Sequence, residues 1–198
     1  MYWNTVSSIL KEVLLDLMEN DIFQPFRLVG GTALSLQIGH RMSVDIDMFT
    51  DASYGSIDFD EIRVYLENKY LYCDYRTGAK VTFGTYFQVG HSVTNSVKID
   101  FYYTDEFIFE PIIIDNIRMA TQNEIIAMKM NVLLTGGRKK DFWDLHYFLD
   151  KITIDEMISL FNQRYPSRSS RATGPNTRVP IGSLLSLIRT AAFRSKRM

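Results

Sequence analysis

Cysteine occurs once in the 198 residues, at Cys73. A lone thiol rules out an internal disulfide and a cysteine-based zinc site, and it favours a reducing cytoplasm. Histidine is scarce too: His40, His91 and His146 are the whole set, and no two share one predicted element at metal-ligand spacing. No apolar run approaches the roughly 18–20 residues that span a bilayer, so no membrane partner is expected. The N-terminus, MYWNTVSSILKEVLLDLMEN, lacks a positive start and carries acids through its apolar stretch. It reads as an amphipathic helix and not as a signal peptide. What is present is ordinary for a folded chain: 46% hydrophobic and 23% charged residues, which argues against disorder.

Net charge is also small, −1, but unevenly spread. From residue 167 to 198 there are seven basic residues and no acidic one, which leaves 15 basic against 23 acidic before it. An acidic body therefore carries a basic tail. Such a tail can contact RNA, anionic lipid, an acidic partner or the body itself, or can simply be solvated.

Apolar spacing of 3.6 predicts helices over residues 3–18, 58–70, 121–134, 139–150 and 153–165, and a short one over 32–38. Asp58 is placed to cap its helix, and Thr121/Glu124 and Thr153/Glu156 have capping-box spacing. Strands are predicted at 26–29, 44–49, 72–77, 80–89 and 96–103, with turns at Gly78 and Gly90. One strand or two short ones are expected within 111–119. The fold class is α+β: a mixed β-sheet flanked by helices, with a C-terminal helical subdomain. The expected divisions are an α/β core at 1–119, the helical subdomain at 120–165, and a basic linker and tail at 166–198.

The chemistry concentrates in FRLVGGTALSLQIGHRMSVDIDMF, residues 26–49. Gly30 and Gly31 end a strand and open a helix. On their own they fit either a tight turn or a backbone cradle that offers helix N–H groups to a phosphate. Asp45 and Asp47 lie two apart on a strand, about 6.6 Å, so both carboxylates share one face. Val44, Ile46 and Met48 are expected on the core side. Two charges at that separation repel by roughly 2–3 kcal/mol at an effective dielectric of 20, which a divalent cation would relieve. Asp100 in SVKIDFYY shares a face with Lys98, and is either one more acid of a metal cluster or a lone acid balanced by that lysine.

A helical stretch follows. Asp141 and Asp144 stand at i and i+3, behind Arg138, Lys139 and Lys140, an uncommon place for cations at a helix start. Phe142 and Trp143 read as core packing, and His40 as a structural hydrogen-bonding group.

Together these segments resemble nucleotidyltransferases of the DNA polymerase β type, and more narrowly the nucleotidyltransferase-like toxins AbiEii/AbiGii. The likeness rests on Gly30-Gly31-Thr32-Ala33-Leu34, then Gly39-His40-Arg41-Met42-Ser43-Val44-Asp45-Ile46-Asp47-Met48-Phe49. It continues at Lys98-Ile99-Asp100, Lys129 and Lys140-Asp141-Phe142-Trp143-Asp144-Leu145, and covers about residues 1–165.

The resemblance implies a phosphoryl-transfer site. Asp45, Asp47 and Asp100 would bind Mg²⁺, in a two-metal arrangement, and Asp100 would help deprotonate an acceptor hydroxyl. Gly30, Gly31 and Thr32 would offer donors to the phosphates of an NTP, with Arg41 either on the ligand or in an ion pair. Lys129 would neutralise triphosphate charge, and Asp141 and Asp144 would lie near the nucleotide or anchor Lys129, Arg41 or their own helix. The implied role is NMP transfer from an NTP to an acceptor such as tRNA, by the toxin of a toxin–antitoxin or phage-defence pair with a cognate antitoxin. Two alternatives stay open: a catalytically silent nucleotide- or antitoxin-binding relative, and an antibiotic-type small-molecule nucleotidyltransferase.

Overall fold

A computed structural model describes residues 1–75 and 83–166. The basic tail and the turn expected at Gly78 lie outside the described residues. The described residues form two compact units, one within 1–106 and 110–120, the other of 107–109 and 121–166.

The first unit is built on a seven-stranded sheet. Its strands are β1 (Arg27–Val29), β2 (Asp45–Thr50), β3 (Tyr72–Tyr75), β4 (Gly84–Ser92), β5 (Asn95–Tyr103), β6 (Ile112–Ile114) and β7 (Ile117–Met119), ordered β3-β4-β5-β2-β1-β7-β6. β2 runs parallel to β5 and antiparallel to β1, and β1 runs parallel to β7, so the sheet is mixed.

Among the described residues, three α-helices belong to this unit. α1 (Ser8–Glu19) has Ser7 as N-cap and buries Leu10, Val13, Leu14 and Leu17 completely. Those positions repeat at i, i+3, i+4 and i+7, one face of a helix. That face packs on β2, β5 and β7. There Ile46, Met48, Ile99 and Phe101 are fully buried, and Phe101 sits among Phe23, Phe26 and Phe87 at ring separations of 5.5, 5.1 and 6.1 Å. α2 (Gly30–Ile38) follows β1 directly, and α3 (Phe59–Lys69) is capped by Asp58, which accepts from the Asp60 and Glu61 amides.

Two expectations need correction here, and one open alternative is decided. Gly90 is not a turn: it lies inside β4, paired with Ser96, and a side chain there would strike the Asn95 carbonyl. The glycine serves close strand approach, and the hairpin turns at Val93–Thr94 instead. Val44 does not face the core but precedes β2 and is 69% exposed. The 111–119 region holds two strands, turned at Asp115 and Asn116. Both adopt positive φ (50° and 64°), as a two-residue hairpin loop requires.

The second unit contains α4 (Gln122–Leu134), α5 (Lys139–His146) and α6 (Ile154–Arg164). α6 opens with the expected capping box between Thr153 and Glu156. At α4 the Thr121 hydroxyl accepts from the Glu124 amide, but the Glu124 side chain is engaged elsewhere. It is fully buried, pairs with Arg164 of α6, and accepts from the Ile108 and Phe109 amides at 3.0 and 3.1 Å. A buried carboxylate must find donors, and a guanidinium plus two amides supply them. Among the described residues no helix is long and apolar enough to cross a membrane.

Candidate active site

The site is organised by strand register. Asp45 and Asp47 alternate with the fully buried Ile46 and Met48, so they stand on the face opposite the core packing. Across the parallel β2–β5 pair, Asp47 is opposite Asp100 and Asp45 is opposite Lys98. Paired residues point to the same side, so all three aspartates rise from one face of neighbouring strands. On the other flank of β5, Asp100 is paired with Tyr86 of β4.

Beside these acids lies the β1–α2 junction. Gly30 has φ +68°, a left-handed conformation that suits glycine, and a Cβ on it would collide with the Asp47 carboxylate. A Cβ on Gly31 would collide with the Arg41 guanidinium, and its Ser43 contact is at 3.4 Å. The two glycines therefore let one carboxylate and one guanidinium lie against the start of α2. That helix has no side-chain cap, and its first amides and positive dipole end are suited to an anion. Arg41 Nη1 also donates to the Met42 carbonyl at 2.9 Å, which fixes the loop that carries it.

Thr32 is used differently from the expectation that it offers its hydroxyl to phosphate. It is 1% exposed, its Oγ1 lies 2.8 Å from Ser43 Oγ, and it bonds the Asp45 carbonyl oxygen. The hydroxyl thus ties α2 to the first residue of β2. Its role is to hold Asp45 in place.

The donor set is of the right kind for a hard divalent cation, since aspartate oxygens are what magnesium prefers. Yet among the described residues no three His, Cys, Asp or Glu side chains are gathered closely enough to hold a metal. Asp100 is moreover already paired. Lys98 Nζ lies 2.6 Å from Oδ1 and also bonds Oδ2, so a cation already sits on that carboxylate. The site chemistry fits a metal, with the Asp100 seat taken by an ammonium.

The remaining expected residues lie in the second unit. Lys129 is only 7% exposed, and its Nζ is 2.6 Å from Asp141 Oδ1 and 2.8 Å from Asp144 Oδ2. Both aspartates are buried. Asp141 also accepts from the Arg138 amide at 2.9 Å, closing the first turn of α5. Burial would raise its carboxyl, but the Lys129 ammonium and the Arg138 amide outweigh that and hold it below the usual range. An ammonium matched by two carboxylates has little charge left for a triphosphate, so the geometry makes these three residues an anchor between α4 and α5. Trp143, expected in the core, stays 37% exposed with its ring 6.1 Å from that of His146.

Two features here carried no readable sequence signal. Arg164 gives no hint of its partner 40 residues away. Arg118 donates to the Phe26 and Phe23 carbonyls at 2.7 and 2.8 Å, bracing the entry to β1. Burial, with Arg27 near it, lowers the Arg118 guanidinium.

The model of the AbiEii nucleotidyl transferase toxin of type IV toxin–antitoxin systems matches residues 12–196. The chain belongs to this AbiEii family. Among its relatives is an uncharacterized protein of Aquifex aeolicus, 28% identical over 166 residues, spanning 78% of this chain and 73% of that protein. Among solved structures, JHP933 of Helicobacter pylori superposes with a TM-score of 0.52 at 18% identity, covering 94% of this chain and 93% of the other. An antigenic nucleotidyltransferase-like protein of Paracoccidioides brasiliensis gives a TM-score of 0.52 at 14% identity, covering 84% and 92%. At such identities the likeness speaks for the fold alone. The AbiEii chain thus has the α+β nucleotidyltransferase-like architecture, a mixed seven-stranded sheet with six helices among the described residues.

Proposed function

We propose that the chain is a magnesium-dependent nucleotidyltransferase that moves an NMP from an NTP to an acceptor hydroxyl. The observation that carries this reading is the register of β2 and β5, which sets Asp47 opposite Asp100 and next to the Gly30–Gly31 junction. Asp45, Asp47 and Asp100 are the residues to hold the metal. When bound, the metal supplies positive charge to the attacking and leaving oxygens. Lacking side chains, Gly30 and Gly31 allow close approach to the first amides of α2, which would receive the phosphates, and Arg41 adds a guanidinium beside them. Thr32 holds the β2 end of the site in register. Asp100 takes the acceptor proton once Lys98 has left it.

The family supports a toxin of a toxin–antitoxin pair, and to this we add a cognate antitoxin as partner and phage defence as the setting. RNA, and tRNA in particular, is the acceptor we favour, and the cytoplasm the compartment. The test incubates the protein with each radiolabelled NTP, cell RNA and Mg²⁺. Label should enter RNA, and Asp47→Asn should abolish it. No transfer to RNA or protein with any NTP overturns the reading. The ion pair on Asp100 favours one competitor, a silent relative that binds nucleotide or antitoxin. In that case Asp45→Asn leaves every phenotype unchanged.

A further inference from the structure

Lys98 and Asp100 are two apart on β5, so their side chains rise from one face. The lysine ammonium engages both oxygens of the carboxylate, with Oδ1 at 2.6 Å. The two side chains are 40% and 15% exposed, so the pair is screened on the aspartate side and open on the lysine side. The same Nζ lies 5.3 Å from the centroid of the Tyr86 ring. Tyr86 is the register partner of Asp100 on β4 and is 36% exposed. The ammonium therefore touches the carboxylate while an accessible ring face stands next to it. Such a face attracts a cation by its quadrupole.

Resting on the reading of Asp45, Asp47 and Asp100 as a metal site, we propose that Lys98 is a tethered counter-ion that occupies Asp100 until a divalent cation displaces it. The Tyr86 ring, which the ammonium already faces at 5.3 Å, keeps hold of it once it leaves the carboxylate. The charges give the device its purpose. A bare divalent ion must eject Lys98 into solvent or onto the ring. An ion arriving with a triphosphate brings negative charge that can receive the ammonium. Lys98 thereby weakens binding of metal alone and ties metal binding to the nucleotide, as a positioning residue.

The test measures Mn²⁺ affinity without nucleotide, by electron paramagnetic resonance, on the folded full chain. Lys98→Met should bind Mn²⁺ about two- to fivefold tighter than wild type, the scale of one half-exposed ion pair. Lys98→Gln should do the same and stands in if the methionine variant folds poorly. Lys98→Arg keeps the charge and should bind no tighter than wild type. Adding a non-hydrolysable NTP should tighten Mn²⁺ binding more in wild type than in Lys98→Met. If Lys98→Met and Lys98→Gln bind as wild type does while Asp47→Asn loses the ion, this inference is overturned and the metal site stands. If no variant and no wild type binds Mn²⁺, the metal site fails and the inference with it.

Discussion

Gly30→Ala separates backbone strain from crowding of the site. Gly30 has φ +68°, and an alanine held there costs about 1–2 kcal/mol for the left-handed conformation alone. The added Cβ also meets the Asp47 carboxylate at a distance no real Cβ shows, so Asp47 or α2 must shift. Overpacking of that kind costs about 1–3 kcal/mol more. Gly55 is the control: its φ is +85° and nothing lies within 4 Å of where its Cβ would stand. Gly55→Ala therefore carries the strain without the collision. Urea unfolding should show both variants destabilised, Gly30→Ala by about 2–5 kcal/mol and Gly55→Ala by about 1–2. Label transfer should fall about 100-fold in Gly30→Ala, since displacing a reacting group by about 1 Å has that effect, and stay at the wild-type level in Gly55→Ala. Equal stability losses with full activity in both would refute the packing of Asp47 against Gly30.

Other perturbations probe the anchors. Arg164→Met leaves Glu124 buried without its cation and should destabilise by about 3–5 kcal/mol in thermal or urea unfolding, with Glu124→Gln in the same chain recovering much of the loss. Asp141 has its carboxyl held below the usual range, so its contribution is full above the unfolded value near pH 4 and fades as pH falls through the lower, folded value. Asp141→Asn should lower stability at pH 7 and flatten the acid limb of a stability–pH curve; an unchanged limb would count against the Lys129 anchor. Burial pushes the Cys73 thiol up to about 11, so alkylation by iodoacetamide at pH 8 should run far slower than for a free thiol and rise with pH up to that value.

Much of the fold is legible in the residues themselves. Alternation in DIDMF tells which side of β2 is core, because Ile46 and Met48 have nowhere to go but inward. Caps at Asp58, Thr121 and Thr153 mark helix starts, since each oxygen accepts an amide that the helix itself leaves unpaired. The misplaced residues have a common cause. Glu124 has capping-box spacing, yet its carboxylate serves Arg164 and two distant amides, because a buried charge takes the strongest donors that tertiary packing brings. Thr32 sits in a motif that suggests phosphate contact, yet burial commits its hydroxyl to Ser43 and Asp45. Gly90 reads as a turn by composition, though what it answers is the nearness of the Asn95 carbonyl.

The candidate site shows the same division. Spacing puts Asp45 and Asp47 on one side of their strand, and Lys98 and Asp100 on one side of theirs, because side chains alternate along each strand. Spacing does not say that β2 and β5 are neighbours, nor that their register sets Asp47 opposite Asp100 instead of opposite Lys98. A one-residue slip would turn Asp100 into the core and Phe101 out, and Phe101 is fully buried among Phe23, Phe26 and Phe87. The aromatic packing beneath the sheet thus holds the acids in line above it. A substitution such as Phe101→Ala, which removes that constraint and costs about 3–5 kcal/mol, should disturb the carboxylate register as well as the core.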